Sequence, residues 1–161
     1  MSPVRAWFYD SWGFLALANR RDPDHAPAVE GELWRKGHGV LVATSDYVLD
    51  ETLTALHAAA GARVALEFLD LFEARVAAEA LLLVQVTSMR RERALERFRR
   101  LAPSVPRLSL TDSTSFAVME ELGIRWAFTG DRHFRRAGSQ IQPLFAPRGR
   151  DLAFVAPPPE A

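Results

Sequence analysis

The sequence from Ala6 to Leu15 reads AWFYDSWGFL, an apolar run with one acidic residue, Asp10, near its centre. The first half of this run is short and aromatic, which predicts a buried strand that begins near Val4 and ends at Tyr9. An unpaired carboxylate is costly in apolar surroundings, so a partner must compensate the charge of Asp10. A cap on the following helix is one explanation, and a functional role is the other.

Four further short apolar runs predict strands, and helical patterns separate them. The predicted strands cover residues 40–43, 81–86, 126–129 and 141–144. The helical patterns end near residues 19, 37, 60, 78, 101 and 122, and Gly61 separates the third from the fourth. Strands that alternate with helices imply an α/β fold, in which a mainly parallel sheet of about five strands lies between helices in three α/β/α layers.

The composition limits the chemistry that the chain can carry. Its 161 residues are 48% hydrophobic, enough for the core of one domain. We predict that domain over residues 1–146 and a loose, proline-rich tail over residues 147–161. The absence of cysteine excludes disulfide scaffolds and thiolate metal sites. With no apolar stretch long enough for a membrane span and no secretory leader pattern, we expect a cytoplasmic protein.

The formal net charge is zero, so binding of a polyanion requires a local basic patch. The candidate is the predicted helix over residues 88–101, which is rich in arginine. Because Glu92 and Glu96 interrupt the arginines, a solvated amphipathic face is favoured over a phosphate-binding patch.

Three further acids are candidates for the same site as Asp10, although Glu51 differs from the others in its position. Asp112 lies in the first turn of a predicted helix, where a cap explains an anion as well as catalysis does. Asp131 follows a predicted buried strand, where an ordinary turn residue is the alternative. Glu51 lies two turns into a predicted helix, beside its apolar stripe, although a solvated glutamate is the simpler explanation for this residue alone.

The combination of these acids carries more weight than any one of them. The carboxyl ends of parallel strands meet at one edge of a sheet, which would bring the three aspartates together with Glu51 pointing in from its helix. Carboxylates a few ångströms apart repel one another by about 1–4 kcal/mol per pair, so the cluster needs a cation. Ligands that are all oxygen atoms favour a hard ion, Mg²⁺ or Mn²⁺.

Four segments of the chain resemble, in the same order, the PIN domain family, which includes the VapC-like toxins. The matching segments are Tyr9-Asp10-Ser11, Thr44 to Leu53, Leu108 to Ser113 and Phe128 to Phe134. They extend over about residues 4–135. The resemblance implies a PIN-like α/β fold and an endoribonuclease that hydrolyses phosphodiester bonds of RNA.

The resemblance also implies roles for individual residues. The residues assigned to metal binding and catalysis are Asp10, Glu51, Asp112 and Asp131. They would position one or two Mg²⁺ or Mn²⁺ ions that activate a water and stabilise the charge on the phosphate. Ser11 and Thr129 would orient carboxylates or water, with ordinary strand-end hydrogen bonding as an equal alternative. A structural role is favoured for His133 over contact with RNA.

Several partners and alternatives follow from the same resemblance. The favoured interpretation is the toxin of a type II toxin–antitoxin pair, a homodimer with a small antitoxin that masks the acidic pocket. The alternatives are a free-standing PIN-domain nuclease and a non-catalytic PIN-like binding module. A phosphate-handling enzyme with an aspartyl nucleophile is disfavoured, because the one lysine, Lys36, does not follow a later strand.

Overall fold

The structure is a computed structural model that describes residues 5–137 and 140–159. Five parallel strands form the central sheet in the spatial order β3-β2-β1-β4-β5. They are β1 (Ala6–Tyr9), β2 (Leu41–Ser45), β3 (Leu81–Val84), β4 (Trp126–Phe128) and β5 (Gln142–Pro143). The predicted α/β fold with a five-stranded parallel sheet between helices is confirmed. Val4, the predicted start of the first strand, lies outside the described residues.

Helices connect the strands and cover the sheet. They are α1 (Ser11–Ala18), α2 (His25–Gly37), α3 (Asp46–Ala77), α4 (Ser88–Leu101), α5 (Leu110–Leu122) and α6 (His133–Arg136). Gly61 bends α3 with a φ of 84°, a conformation that favours glycine, so the predicted separation of two helical segments is confirmed. Among the described residues, no helix combines the length and the apolar character needed to cross a membrane.

The central strand β1 is buried on both faces of the sheet. Trp7 and Tyr9 point to the same face because side chains alternate along a strand. There, the Trp7 ring stacks on Trp34 of α2 at a centroid distance of 5.2 Å, and the Tyr9 ring packs on Phe14 of α1 at 5.5 Å. Phe8 points to the opposite face and is fully buried. Phe14 therefore belongs to the core.

Strand β3 ends at Val84, two residues before the end predicted from the apolar run. The backbone N–H of Val86 donates instead to the Asp46 carboxylate at the start of α3, at 2.9 Å. The backbone N–H of Val86 thus bonds to a side chain and not to a neighbouring strand, so β3 ends before Val86.

Residues after position 147, for which the sequence predicts a loose tail, form part of an antiparallel hairpin. The hairpin pairs β6 (Phe145–Arg148) with β7 (Asp151–Phe154). Phe154 packs on Trp34 of α2 at a ring distance of 6.1 Å, and the Leu152 side chain lies against Gly130. The loose-tail prediction is therefore wrong for residues 147–154, because aromatic packing against α2 orders a segment whose prolines indicate a loop.

A buried charge network joins β1 to α2 and α3. The Glu32 carboxylate accepts hydrogen bonds from the Tyr9 hydroxyl, from Arg35 at 2.8 and 2.9 Å, and from Arg75 at 3.3 Å. Burial disfavours the ionised form, but the hydrogen bonds from Arg35 and Tyr9 and the charges of Arg35 and Arg75 outweigh it, and the pKa of Glu32 is lowered to about 2.

We expect Gly13→Ala to destabilise the fold, because helix α1 approaches β4 closely at this residue. A Cβ atom on Gly13 would lie 2.5 Å from the Phe128 ring and 2.6 Å from the Phe128 carbonyl oxygen. Such overpacking should lower the free energy of unfolding by about 1–3 kcal/mol in urea denaturation. Gly37→Ala is the control. Gly37 is the last residue of α2 and has open space around it, so the stability of this variant should equal or exceed that of wild type. Equal losses in both variants would contradict this account.

The Glu32 network predicts a defined dependence of stability on pH. Since the folded pKa of Glu32 is lowered from 4.5 to about 2, its contribution is complete above pH 4.5 and is lost as the pH falls towards 2. Glu32→Gln leaves Arg35 buried without its partner and should cost about 3–5 kcal/mol at neutral pH. Denaturation from neutral to acidic pH should show the gap between wild type and variant closing below pH 4.5; a gap that stays constant would refute the assignment.

Candidate functional site

Asp10 follows β1 at the carboxyl edge of the sheet and is 2% exposed. One carboxylate oxygen, Oδ2, accepts a hydrogen bond from the Thr129 hydroxyl at 3.0 Å. The other, Oδ1, is buried with no hydrogen-bond partner among the described residues. The Asp10 side chain also makes no capping bond to α1, so the capping explanation does not account for its position.

Asp112 lies in the first turn of α5 and combines two roles. It forms a capping box with Ser109: the Ser109 hydroxyl accepts from the Asp112 N–H at 3.0 Å, and Asp112 Oδ2 accepts from the Ser109 N–H at 3.1 Å. The capping explanation is therefore correct for Asp112, but it engages only one carboxylate oxygen. The side chain is buried and its charge acts on Asp10, so the cap also directs an acid into the site.

Glu51 turns towards the same cluster from α3. Its Oε1 accepts a hydrogen bond from the Ser11 hydroxyl, and its charge acts on both Asp10 and Asp112. The alternative of a freely solvated glutamate is wrong, because the residue is partly buried and hydrogen-bonded across 40 positions of sequence.

Thr129 links two of the acids through one hydroxyl group. Its oxygen donates to Asp10 Oδ2 and accepts the backbone N–H of Asp131, both at 3.0 Å. Asp131 in turn accepts the backbone N–H of His133 at 2.9 Å, which orders the loop between β4 and α6. The hydroxyls of Ser11 and Thr129 therefore contact the carboxylates of Glu51 and Asp10, and not those of the acids nearest to them in sequence.

His133 is the residue that sequence reasoning underestimated. Its Nδ1 lies 3.3 Å from Asp112 Oδ2 and 3.4 Å from Asp131 Oδ1. One ligand atom from each of Asp112, Asp131 and His133 lies within 4.8 Å of the others, a spacing that suits a metal ion. One signal for this role is present in the sequence, because His133 lies two residues after Asp131. That proximity does not show in which direction the imidazole points.

The electrostatics of the cluster explain its need for a cation. Burial, followed by the nearby carboxylates of Asp112 and Glu51, raises the pKa of Asp10 to about 8. The pKa of Asp112 is also raised, by burial first and then by Asp131 and Glu51, although Ser109 and His133 act against the shift. Charge interactions link Asp10 and Asp112 with Glu51 and Asp131, so the four acids lie in one neighbourhood. Among the described residues, the group with ligand atoms within 4.8 Å of one another comprises Asp112, Asp131 and His133.

The residues present fit a divalent cation. The buried Oδ1 of Asp10 lacks a partner, and the surrounding carboxylates disfavour its ionised form in the absence of positive charge. A bound cation would satisfy both conditions. The Nδ1 atom of His133 lies beside two of these acids, whereas the ligand set that the sequence predicts contains oxygen atoms only.

Comparisons with known proteins agree with this geometry. The family model of the PIN domain matches residues 10–140. The chain is similar to VapC20 of Mycobacterium tuberculosis, a toxin that cleaves the sarcin–ricin loop, with 32% identity and a TM-score of 0.70 over 83% of this chain and 95% of that chain. It also shares its fold with VapBC2 from Rickettsia felis bound to a DNA fragment from its promoter, with 13% identity and a TM-score of 0.62 over 86% and 98% of the chains. No curated protein sequence matches significantly.

The crowding of Asp10 predicts a gain in stability when its charge is removed. The folded pKa is raised from 3.8 to about 8, so the metal-free protein loses stability as the pH rises between these values. In EDTA, Asp10→Asn should be more stable than wild type by up to about 5 kcal/mol near pH 8, with the gap closing towards pH 4. Urea denaturation across this pH range measures the effect.

Asp50→Asn is the matched control for that experiment. Asp50 is exposed on α3, next to Glu51, and the change removes the same charge. Its stability should follow that of wild type at every pH. A wild type that is more stable than Asp10→Asn in EDTA near pH 8 would show that the carboxylate of Asp10 is not under electrostatic stress.

Proposed function

The chain belongs to the PIN domain family, and from this premise we propose that it is a divalent-metal-dependent endoribonuclease, the toxin of a type II toxin–antitoxin pair. The observation that carries the proposal is the gathering of Asp10, Glu51, Asp112 and Asp131 around a buried carboxylate oxygen that lacks a partner. An RNA phosphate is an anion and would be repelled by these acids alone, so the site needs a cation when the substrate binds.

Each acid has a proposed place in the reaction. Asp10, Glu51, Asp112 and Asp131 hold Mg²⁺ or Mn²⁺, either one ion or two. When bound, such an ion supplies Lewis-acid chemistry for hydrolysis of a phosphodiester bond and stabilises the negative charge that develops on the phosphate. The protein's own contribution is to hold the carboxylates in place before the substrate arrives.

Two hydroxyl groups and one imidazole position these carboxylates. Ser11 donates to Glu51, and Thr129 donates to Asp10 while accepting from the Asp131 backbone. Partners of this kind orient ligands, and their loss commonly lowers metal affinity or activity about 10–100-fold. His133 lies against Asp112 and Asp131 and helps to keep these two acids at a fixed separation.

The proposed partner is a small antitoxin protein that masks the acidic pocket of a homodimeric toxin. The similarity to the VapC20 toxin supports the toxin assignment. An apolar groove of about 230 Å³ between α1 and the second half of α3, lined in part by Leu17, Phe68 and Leu71, supports binding of a protein partner. Leu71 is 60% exposed, a large apolar side chain left open to solvent.

The decisive experiment measures Mg²⁺-dependent cleavage of RNA by purified protein. The substrates are an unstructured oligonucleotide and a sarcin–ricin loop oligonucleotide. We expect wild type to cut at least one of them, EDTA to stop the reaction, and Asp10→Asn to lower kcat at least about a hundredfold. Thr129→Val retains the four acids, but its cleavage activity should be about 10–100-fold lower than that of wild type.

Asp50→Asn serves as the control and should cleave at the rate of wild type, because its carboxylate is exposed and outside the cluster. Equal cleavage by wild type and Asp10→Asn would reject the mechanism. A wild type that cuts neither RNA and whose stability does not change with Mn²⁺ would favour the non-catalytic binding module.

A further inference from the structure

We propose that a basic groove remote from the acids, formed by Arg97, Arg100, Arg125 and Arg135 around Trp126, binds the phosphate backbone of RNA beyond the cleavage site. The inference rests on the proposed ribonuclease function and adds to it a second contact with the substrate.

The basic groove consists of two adjoining cavities. The first, of about 580 Å³, lies between the end of α4, the end of α5 and the start of β4, and Arg97, Arg100 and Arg125 line it. The second, of about 520 Å³, lies beside β5, and Trp126 and Arg135 line it. Ile141 lines both cavities, so they are neighbours.

The charge of the basic groove is not balanced by the protein. Its described lining contains four arginines and one acid, Glu120, which forms an ion pair with Arg97. Arg100 and Arg125 have no acidic partner among the described residues. Arg135 donates to the carbonyl oxygen of Phe145 at 3.2 Å, which leaves its positive charge uncompensated. An anion is therefore the expected occupant.

The rest of α4 behaves differently. Arg90 and Arg93 both pair with Glu121. A neighbouring cavity of about 290 Å³ shares Arg97, Arg100 and Glu120 with the groove, but Glu96 and Glu121 balance its arginines. For this part of the helix, the surface agrees with the solvated amphipathic face that the sequence favoured. Arg100 lines both this cavity and the basic groove, and the positive charge without acidic partners among the described residues continues from Arg100 to Arg125.

An aromatic ring distinguishes this groove from a simple anion site. The Arg125 guanidinium lies 5.4 Å from the centre of the Trp126 ring, and the Trp126 side chain is only partly buried. Arginines next to an open aromatic ring are the combination that binds single-stranded nucleic acid, in which phosphates pair with arginine and bases stack on the ring. We therefore commit to RNA over a free anion or an acidic protein segment.

The basic groove lies far enough from the acids to contact other nucleotides. Helix α5 rises about 16 Å from Asp112, in the acidic cluster, to Gly123, which lines the groove. At about 3.4 Å per stacked nucleotide, this distance corresponds to roughly five nucleotides. A trinucleotide bound at the acids would not reach the groove, whereas an RNA of about twelve nucleotides would.

The test compares two double variants of the full chain. Arg100→Gln with Arg125→Gln removes the two unpartnered charges of the groove, and Arg91→Gln with Arg99→Gln removes the same charge from exposed positions of α4 outside it. Binding of a fluorescent twelve-nucleotide RNA is measured in EDTA, without cleavage. The groove variant should bind about tenfold more weakly, and the slope of log K against log salt should fall by about 1.4, while the control changes less than about twofold.

Cleavage in Mg²⁺ provides a second readout. For the groove variant, KM for the twelve-nucleotide RNA should rise with little change in kcat, and the cleavage of a trinucleotide should be unchanged. Equal weakening in both double variants, or in neither, would overturn the proposal. If the groove variant binds RNA as wild type does but no longer binds an acidic peptide, the proposal is also overturned, in favour of a protein partner. If wild type cuts no RNA, the proposed ribonuclease function is wrong, but the binding measurement in EDTA still shows whether the groove binds RNA.

Discussion

The buried carboxylate of Asp10 is the constraint on which the arrangement of the site depends. The parallel sheet places β1 between β2 and β4, so the residue that follows β1 has other strand ends on both sides. Asp10 therefore meets acids from α3 and α5, and repulsion among them opposes folding. Hydrogen bonds from Ser11, Thr129 and the Ser109 backbone hold these acids together despite that repulsion. The result is a site that is prepared for positive charge before any is present.

Local sequence patterns predicted the features that depend on neighbours in sequence. The aromatic strand before Asp10, the bend at Gly61 and helix α4 each follow from the spacing of apolar residues or from glycine. Asp10 and Asp131 were found from their positions after predicted strands, and the assignment of Asp112 and Glu51, which lie in helices α5 and α3, was supported by the resemblance to the PIN family. The sequence left the capping and catalytic explanations of Asp112 open, and the structure shows the capping bond together with its place in the cluster.

Features that depend on contacts between distant segments escaped prediction. Glu32 lies among charged residues in sequence, and only packing of α2 against β1 and α3 shows that it is a buried ion-pair centre. The direction of the His133 imidazole depends on the loop after β4, which Thr129 and Asp131 shape. The arginines of α4 look alike in sequence, yet Glu120 and Glu121 of α5 pair with Arg97, Arg90 and Arg93 and leave Arg100 without an acidic partner among the described residues.

The hairpin at the end of the chain has a consequence for how the protein is handled. Leu152 and Trp12 enclose Gly130, and a Cβ atom on Gly130 would lie 2.5 Å from Leu152. Gly130 joins Thr129 to Asp131, so the hairpin packs against the loop that carries Asp131. Shortening the chain before Leu152, or crowding this hairpin with a bulky C-terminal fusion, would loosen that loop. A preparation altered in this way would lose ion affinity while every proposed ligand remained intact.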